Sequence, residues 1–199
     1  LQEAAIRRCD CRVLTAGDPS TGCLLLSAIP GLGVPGVRVE TEDDRGRALV
    51  SASMPITVAL TNTGLGAAAE GLRPVARGLA LRPGETTQVF MHGAGVVIVV
   101  PDRLEAVFSV GRCLLAPLAA HLTGLAPARG FLRGRLTRKL TSTIGFTEVA
   151  LVRRTEAGLE PLASGSFSLA SLAAAEGWFA VPPESEGLQE GESVEAHAL

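Results

Sequence analysis

The sequence has few of the residues that mark disulfide-rich, metal-binding, nucleic-acid-binding or membrane proteins. It has four cysteines in 199 residues, and Cys9-Asp10-Cys11 has no second cysteine or histidine pair nearby, so we expect reduced thiols rather than a disulfide framework or a zinc site. The net charge of −2 argues against a nucleic-acid-coating protein. No signal peptide is visible and no run approaches about 18 consecutive apolar residues, so the sequence predicts a cytoplasmic protein with no membrane contact.

The stretch from Val96 to Gly124 carries the strongest structural pattern. Five aliphatic residues end at Pro101, which indicates a strand buried on both faces, as in a parallel α/β sheet. Asp102 stands where a helix N-cap is expected and Glu105 follows three residues later, which predicts a capping box. Apolar residues then recur at helical spacing up to Gly124. In α/β sheets, ligands bind where a strand ends and the next helix begins, so this turn is a candidate site.

The chain divides by pattern into two regions. Residues 1–126 alternate strands with helices, which predicts a doubly wound α/β domain. Residues 127–199 contain short strands at tight intervals and one short helix, which predicts a small β-barrel or sandwich.

Charge is distributed unevenly in the second region. Arg133 and Arg135 alternate onto one face of a predicted strand, within a basic segment that runs from 129 to 139, and glutamates crowd the last 16 residues, 184–199. Two interpretations stay open at this stage. The charges form a solvated surface on which they compensate each other, or the basic strand binds a small phosphorylated ligand.

Several segments, taken in order, resemble molybdopterin molybdotransferases (MoeA and the gephyrin E domain). In the first region they are CRVLTAGD, ETEDD, and ARGLALRPGETTQVF followed by VVIVVP. In the second region they are LTRKLTSTIGFTEVALVRR, SGSFSLASLAAAEGWFAVP and LQEGESVEAHAL. The resemblance covers most of the chain, and the two further N-terminal domains of the family have no counterpart in it. It implies a molybdopterin-binding α/β domain followed by a C-terminal β-barrel domain.

The resemblance also implies a function and a set of site residues. The family binds molybdopterin and inserts molybdate with a divalent cation such as Mg²⁺, and its members form homodimers that can serve molybdoenzymes. Carried over by position, Asp18, Asp44 and Glu70 are the expected catalytic carboxylates, of which Asp18 and Asp44 would also bind the metal. The expected ligands of molybdopterin or molybdenum cofactor, with the two strand arginines added, are Gly64, Gly66, Arg82, Pro83, Gly84, Asp102, Arg103, Arg133, Arg135 and Ser166.

The same positions also show departures from the family pattern. Pro19 replaces a carboxylate, Glu85 replaces a ligand-facing lysine, and Phe146 stands where an arginine is usual. A phosphate-facing turn has become Pro101-Asp102-Arg103, whose aspartate would cap its own helix and compete with a ligand. Three hypotheses follow: a divergent enzyme, a non-catalytic relative that binds the cofactor, and a scaffold protein that keeps the fold and dimer surface without a ligand.

Overall fold

A computed structural model describes residues 9–15, 29, 32–33, 37–39, 55–62, 64–65, 69–124 and 130–199. The chain divides into two compact units. Unit 1 comprises residues 1–79 and 86–127, and unit 2 comprises residues 80–85 and 128–199. The sequence places the short segment Ala80–Glu85 in the first region. In the structure this segment belongs to unit 2, because its residues Leu81 and Arg82 form a strand that pairs with residues Thr147 and Glu148.

Unit 1 is built on a mixed seven-stranded sheet. Its strands are β1 (Cys9–Thr15), β2 (Leu32–Gly33), β3 (Val37–Val39), β4 (Ile56–Leu60), β5 (Arg73–Arg77), β7 (Gln88–His92) and β8 (Gly95–Val100). The order is β2-β1-β4-β8-β7-β5, with β3 also paired to β1. Strand β1 pairs in parallel with β2, β3 and β4, and β4 pairs in parallel with β8. Strand β7 is antiparallel to both of its neighbours, β8 and β5.

The antiparallel strands limit how far the predicted parallel sheet extends. Strand β7 returns into β8 through the two-residue turn Gly93-Ala94, and a connection this short can join only antiparallel neighbours. The predicted helices between the first strands lie outside the described residues, so doubly wound topology stays a prediction. The aliphatic run itself is confirmed as buried on both faces, since four consecutive residues from Val97 to Val100 are each at most 4% exposed.

The long helix after β8 is confirmed, with an irregularity that the sequence pattern does not show. Helix α1 (Leu104–Val110) continues through a π-helical turn (Gly111–Leu115) into α2 (Ala116–Thr123), and Gly124 ends it in the left-handed conformation. After the π turn the buried face runs through Ala116, Ala119 and Thr123.

The helix also meets the length and composition of a membrane span. It has 20 residues, from Leu104 to Thr123, and an 18-residue window within them has a mean hydropathy of 1.4 and is 56% buried. A core helix of a globular protein has the same properties, so the helix is weak support for a membrane span.

Unit 2 contains a six-stranded sheet and a two-stranded one. The strands are β6 (Leu81–Arg82), β9 (Phe131–Arg135), β10 (Leu140–Thr141), β11 (Thr147–Thr155), β12 (Gly158–Ser164), β13 (Gly177–Val181), β14 (Gly187–Leu188) and β15 (Ser193–Ala198). The larger sheet has the order β12-β11-β13-β15-β9, with β6 also paired to β11, and β10 pairs with β14. Helix α3 (Leu169–Ala174) lies between β12 and β13.

The strands of unit 2 do not form a closed barrel within the described residues. The two edge strands approach each other after β9, where Leu136 forms one isolated bridge with Leu159 of β12. Around this contact lies a hydrophobic core to which every larger strand contributes. Its buried members are Leu136, Leu140, Ala150, Val152, Leu159, Phe179, Val181 and Ala196.

Candidate functional site

Unit 1 has a polar cavity at the carboxyl ends of two adjacent parallel strands, β4 and β8. We call it the strand-end cavity. It has a volume of about 340 Å³ and is lined by Thr61, Asn62, Gly64, Thr86, Gln88, Val99, Pro101 and Arg103. Since β4 and β8 pair in parallel, the loops that follow them leave the sheet side by side, which is where ligands bind in α/β folds.

Hydrogen bonds between the two loops fix the shape of this cavity. The backbone N–H of Thr61 donates to the carbonyl oxygen of Val100 at 3.0 Å, which extends the strand pairing by one residue. The backbone N–H of Asp102 donates to Oδ1 of Asn62 at 3.1 Å. Gly64 closes the first loop with a φ of +74°, and a Cβ at that position would meet no atom within 4 Å. The loop is therefore anchored while its glycine faces open space.

The predicted capping box at the start of helix α1 is wrong. The N-cap residue is Arg103, in an extended conformation, and no side chain caps the helix there. The helix begins one residue later than expected because the N–H of Arg103 bonds back to the carbonyl oxygen of Pro101 at 2.7 Å, and Asn62 binds the N–H of Asp102. The expectation that Asp102 fills the helix N-terminus and competes with a ligand is thereby removed.

Arg103 supplies the charge among the described residues that line the cavity. Its side chain is 47% exposed, and its Nη1 lies 3.9 Å from Oε1 of Glu105, a distance that makes a weak ion pair. The remaining polar lining consists of hydroxyl and amide groups. A cation beside neutral donors and an uncapped helix start favours a polar ligand with an anionic group.

The carboxylates expected to bind Mg²⁺ are not placed at this cavity by the described structure. Asp18, Asp43, Asp44 and Gly66 lie outside the described residues. Glu70 is described, is exposed, and is absent from the described lining of the cavity. Within the described residues no three potential metal ligands come together. The metal site predicted from the sequence therefore stays a prediction.

A second polar cluster lies in unit 2, where two strands end against each other on one edge of β11. Strand β6 pairs in parallel with β11 up to Arg82, opposite Glu148. Strand β12 pairs antiparallel with β11 up to Ser164, opposite Ala150, and the N–H of Gly165 then bonds to the carbonyl oxygen of Val149. The carboxyl ends of β6 and β12 thus face each other. We call this place the strand junction.

The strand junction brings together residues that are far apart in the sequence. The guanidinium carbon of Arg82 lies 4.0 Å from the ring centroid of Phe146, in cation–π contact. Nη1 of Arg82 also donates to Oγ1 of Thr143 at 3.4 Å. The exposed Ser166 follows directly after Gly165 on the opposite strand end. Arg82 and Ser166, both predicted as ligand residues, therefore occupy strand ends that meet on β11.

The turn after Arg82 is occupied by its own chain. Arg82 and Pro83 are joined by a cis peptide bond, and Gly84 has a φ of +123°. The N–H of Gly84 donates to the Glu85 carboxylate at 3.1 Å. The N–H of Gly84, which could otherwise bind an anion, is thus already bound by Glu85.

Residues 116–199 match the family model of the MoeA C-terminal region, domain IV. The chain has a MoeA-like C-terminal region. The resemblance recognised in the sequence is confirmed for this part of the chain, which includes β9 to β15.

Solved structures support the same fold over nearly the whole chain. A molybdenum cofactor biosynthesis protein from Pyrococcus furiosus is similar with a TM-score of 0.75 and 21% identity, covering 96% of this chain and 68% of that one. Two molybdopterin biosynthesis MoeA proteins from Pyrococcus horikoshii have TM-scores of 0.74 and 0.75 and identities of 17% and 20%. This chain spans 54% and 55% of their lengths. No curated protein matches the sequence.

One residue of the MoeA-like region was missed by the sequence reasoning. Glu148 is 5% exposed and is the one charged side chain that is buried among the described residues. Its Oε1 accepts the N–H of Thr143 at 3.2 Å and its Oε2 accepts the hydroxyl of Ser164 at 3.1 Å. The available signal was a glutamate within the mainly apolar run of residues 146–152, because such a run indicates a strand buried on both faces.

The two arginines of β9 have partners that belong to the sheet. Nε of Arg133 donates to the Glu195 carboxylate at 2.5 Å, and the two residues face each other across β9 and β15. Arg135 donates to the carbonyl oxygen of Gly191 at 3.0 Å. Because Arg133 pairs with one of the glutamates near residue 199, the structure favours the interpretation that these charges neutralise each other on the surface.

Proposed function

We propose that this protein binds molybdopterin or the molybdenum cofactor and acts in molybdenum cofactor biosynthesis, in the cytoplasm. The strand-end cavity is the observation that carries the proposal. It combines Arg103 with neutral donors, at the place in an α/β sheet where ligands bind. The similarity to a molybdenum cofactor biosynthesis protein and to MoeA proteins supplies the ligand class.

The chemistry of the ligand suits the cavity. Molybdopterin carries a phosphate, which an arginine binds strongly through charge-assisted hydrogen bonds. Asn62 and Gly64 lie in the facing loop, and the open space at Gly64 lets the ligand approach the backbone. We assign phosphate recognition to Arg103 and the first turn of α1, and polar contacts with the rest of the ligand to the loop after β4.

Unit 2 contributes a second anion-binding element to the proposal. Arg82 at the strand junction is a cation without a carboxylate partner in the described part of the chain, and Ser166 stands on the facing strand end. We propose that Arg82 and Ser166 bind an anionic group at unit 2 itself. We also propose that the protein forms a homodimer and delivers cofactor to molybdoenzymes. The family resemblance is the support for both of these proposals.

Two observations favour a binding protein without molybdotransferase activity as the second candidate. The N–H of Gly84 is taken by Glu85, and the ring of Phe146 stands where the family has an arginine. Both changes remove groups that would otherwise face an anion. If the chain is active, Asp18, Asp44 and Glu70 are the carboxylates that we propose for catalysis, with Mg²⁺ held by Asp18 and Asp44.

Titration of the purified chain with molybdopterin tests the binding proposal. We expect saturable binding, and we expect Arg103→Gln to weaken it about tenfold, the effect of losing one charged hydrogen bond. Arg77→Gln is the matched control, because Arg77 is an exposed arginine of unit 1 on strand β5, outside the described lining of the cavity. Absence of binding at ligand concentrations of roughly tens of micromolar would exclude both cofactor hypotheses and leave the scaffold.

A second measurement separates the enzyme from the carrier. Molybdate insertion into bound molybdopterin is followed with and without Mg²⁺. Insertion that requires Mg²⁺ and is lost in Asp18→Asn would establish an enzyme. Binding without insertion would establish the non-catalytic candidate.

A further inference from the structure

The carboxylate of Glu148 connects the two sides of the strand junction. One oxygen accepts the backbone N–H of Thr143, which belongs to the loop before β11. The other accepts the hydroxyl of Ser164, the last residue of β12. Glu148 is 5% exposed and both bonds are partly buried, so water competes only in part with these bonds to a carboxylate.

The bond to Thr143 extends to Arg82. Thr143 is held through its N–H by Glu148 and receives the Arg82 guanidinium on its Oγ1 at 3.4 Å. Three residues later, Phe146 carries the ring against which the same guanidinium packs at 4.0 Å. Both contacts of the Arg82 head group therefore belong to a loop that Glu148 fixes at one point.

The bond to Ser164 extends to Ser166 through Gly165. Gly165 has a φ of +66°, and a Cβ there would lie 2.8 Å from Cδ and Oε2 of Glu148. A side chain at this position would have to displace the carboxylate, and the positive φ also favours glycine. Glu148 thus touches the backbone directly before Ser166 and sets the path of this strand end.

Arg82 and Glu148 do not neutralise each other, although they are paired in register on β6 and β11. Within the described residues, no carboxylate oxygen lies within 4.0 Å of the Arg82 guanidinium. The carboxylate is satisfied by neutral donors, and the cation rests on an aromatic ring and a hydroxyl. Such an arrangement fixes a cation in position without cancelling its charge.

We infer that Glu148 is a positioning residue, which orients Arg82 and the Gly165-Ser166 turn for an anionic ligand. The claim that Glu148 orients these residues follows from the contacts within unit 2. The claim that they are oriented for a ligand rests on the proposed function, so one of the two experiments needs no ligand.

The first arm uses the NMR signals of the Arg82 side chain. A guanidinium packed on an aromatic ring has proton resonances shifted upfield by the ring, and Phe146→Leu identifies the shift by removing it. We expect Glu148→Ala to lose the same shift. Glu148→Gln should keep it, since the amide oxygen can accept from Thr143 and the amide nitrogen can donate to Ser164. An unchanged shift in Glu148→Ala, or a lost one in Glu148→Gln, would overturn the inference.

Gly165→Ala covers the case in which Glu148→Ala does not fold. Its methyl group presses on the carboxylate from the other side, so the Arg82 shift should change although no atom of Arg82, Thr143 or Phe146 is altered. An Arg82 signal identical to that of the wild type in this variant would contradict the positioning role.

The second arm measures molybdopterin affinity. We expect Glu148→Ala to weaken binding about tenfold and Glu148→Gln to stay within about twofold of the wild type. Wild-type affinity in Glu148→Ala would overturn the link to ligand binding. If the wild type itself does not bind, the proposed function fails, while the NMR arm still decides whether Glu148 positions Arg82.

Discussion

The two units build their polar sites in different ways. Unit 1 leaves a cavity between loops at the ends of β4 and β8, and the N–H of Asp102 donates to Oδ1 of Asn62, which ties the helix turn to the facing loop. Unit 2 packs its polar groups on one another, with the buried Glu148 between two strand ends. The comparison indicates that the site of unit 1 has open space beside its cation, whereas the strand junction of unit 2 holds its cation against an aromatic ring. Unit 2 also has a cavity of about 530 Å³, which Thr143 borders.

Two glycines, one from each unit, differ in what surrounds them. Gly71 in unit 1 has a φ of +84° and would meet no atom within 4 Å if it carried a Cβ. Gly165 in unit 2 has a similar φ of +66° but is in contact with a carboxylate. At Gly71 only the positive φ favours glycine. At Gly165 the close contact with Glu148 disfavours a side chain as well. Substitution of Gly165 should therefore cost more stability than substitution of Gly71.

The largest effect should come from the core of unit 2. Leu159 is 1% exposed and packs where the edge strands β9 and β12 approach each other, so Leu159→Ala removes buried apolar contacts and leaves a cavity. We expect the free energy of unfolding to fall by about 2–5 kcal/mol. Denaturant unfolding gives the total change, and hydrogen exchange of individual peptides shows whether protection is lost in unit 2 alone.

The control for this prediction is Leu169→Ala. Leu169 is 65% exposed at the start of α3, so its truncation should change stability by at most about 0.5 kcal/mol. Loss of protection that spreads equally through β1, β4 and β8 in Leu159→Ala would show that the two units unfold together, which would break the comparison.

The second prediction compares the two glycines. Gly165→Ala should lower the free energy of unfolding by about 2–4 kcal/mol, because a strained φ is combined with a close contact to Glu148. Gly71→Ala should cost about 1 kcal/mol, since strain is partly offset by the lower entropy of the unfolded chain. Denaturant unfolding measures both losses. Equal losses of stability in the two variants would show that the Glu148 side chain moves away from the new methyl group without lowering stability further.

Patterns along the chain predicted the elements better than the contacts between them. The aliphatic run at Val97–Val100 and the helix ending at Gly124 follow from local spacing, and both are confirmed. The hairpin at Gly93-Ala94 departs from the alternation of strands and helices that predicts a parallel sheet. Local spacing thus predicted the elements but not the start of α1, where Asn62 from another loop binds the N–H of Asp102.

The strand junction could not be predicted in the same way. Its members come from β6, the loop before β11, and the turn after β12, so their meeting depends on strand order and register rather than on spacing. The resemblance pointed to Arg82 and Ser166 one at a time. Glu148 was missed because a single glutamate in an apolar strand carries no motif, and its burial depends on donors that are distant in sequence.

The third prediction concerns the two helix starts. Ser168 caps α3 in unit 2, accepting the N–H of Ser171 at 3.1 Å, whereas Arg103 gives α1 in unit 1 no side-chain cap. Ser168→Ala should therefore cost about 1 kcal/mol of stability. Arg103→Ala should cost at most about 0.5 kcal/mol, because only a weak ion pair with Glu105 is lost. Thermal unfolding of the two variants checks this, and a larger loss in Arg103→Ala would show that Arg103 serves the fold rather than a ligand.

The smallest effect should follow from the cross-strand pair of β9 and β15. Arg133 and Glu195 are 75% and 45% exposed, so their attraction is weakened by water, and Arg133→Gln should lower stability by about 0.2–1 kcal/mol. The same variant should leave molybdopterin affinity within about twofold, since the guanidinium already has a carboxylate partner, whereas Arg103→Gln should weaken binding about tenfold. The sequence alone allowed both arginines the same anion-binding role. A tenfold loss of affinity in Arg133→Gln would return that role to β9 and would mean that a ligand phosphate displaces Glu195 from its partner.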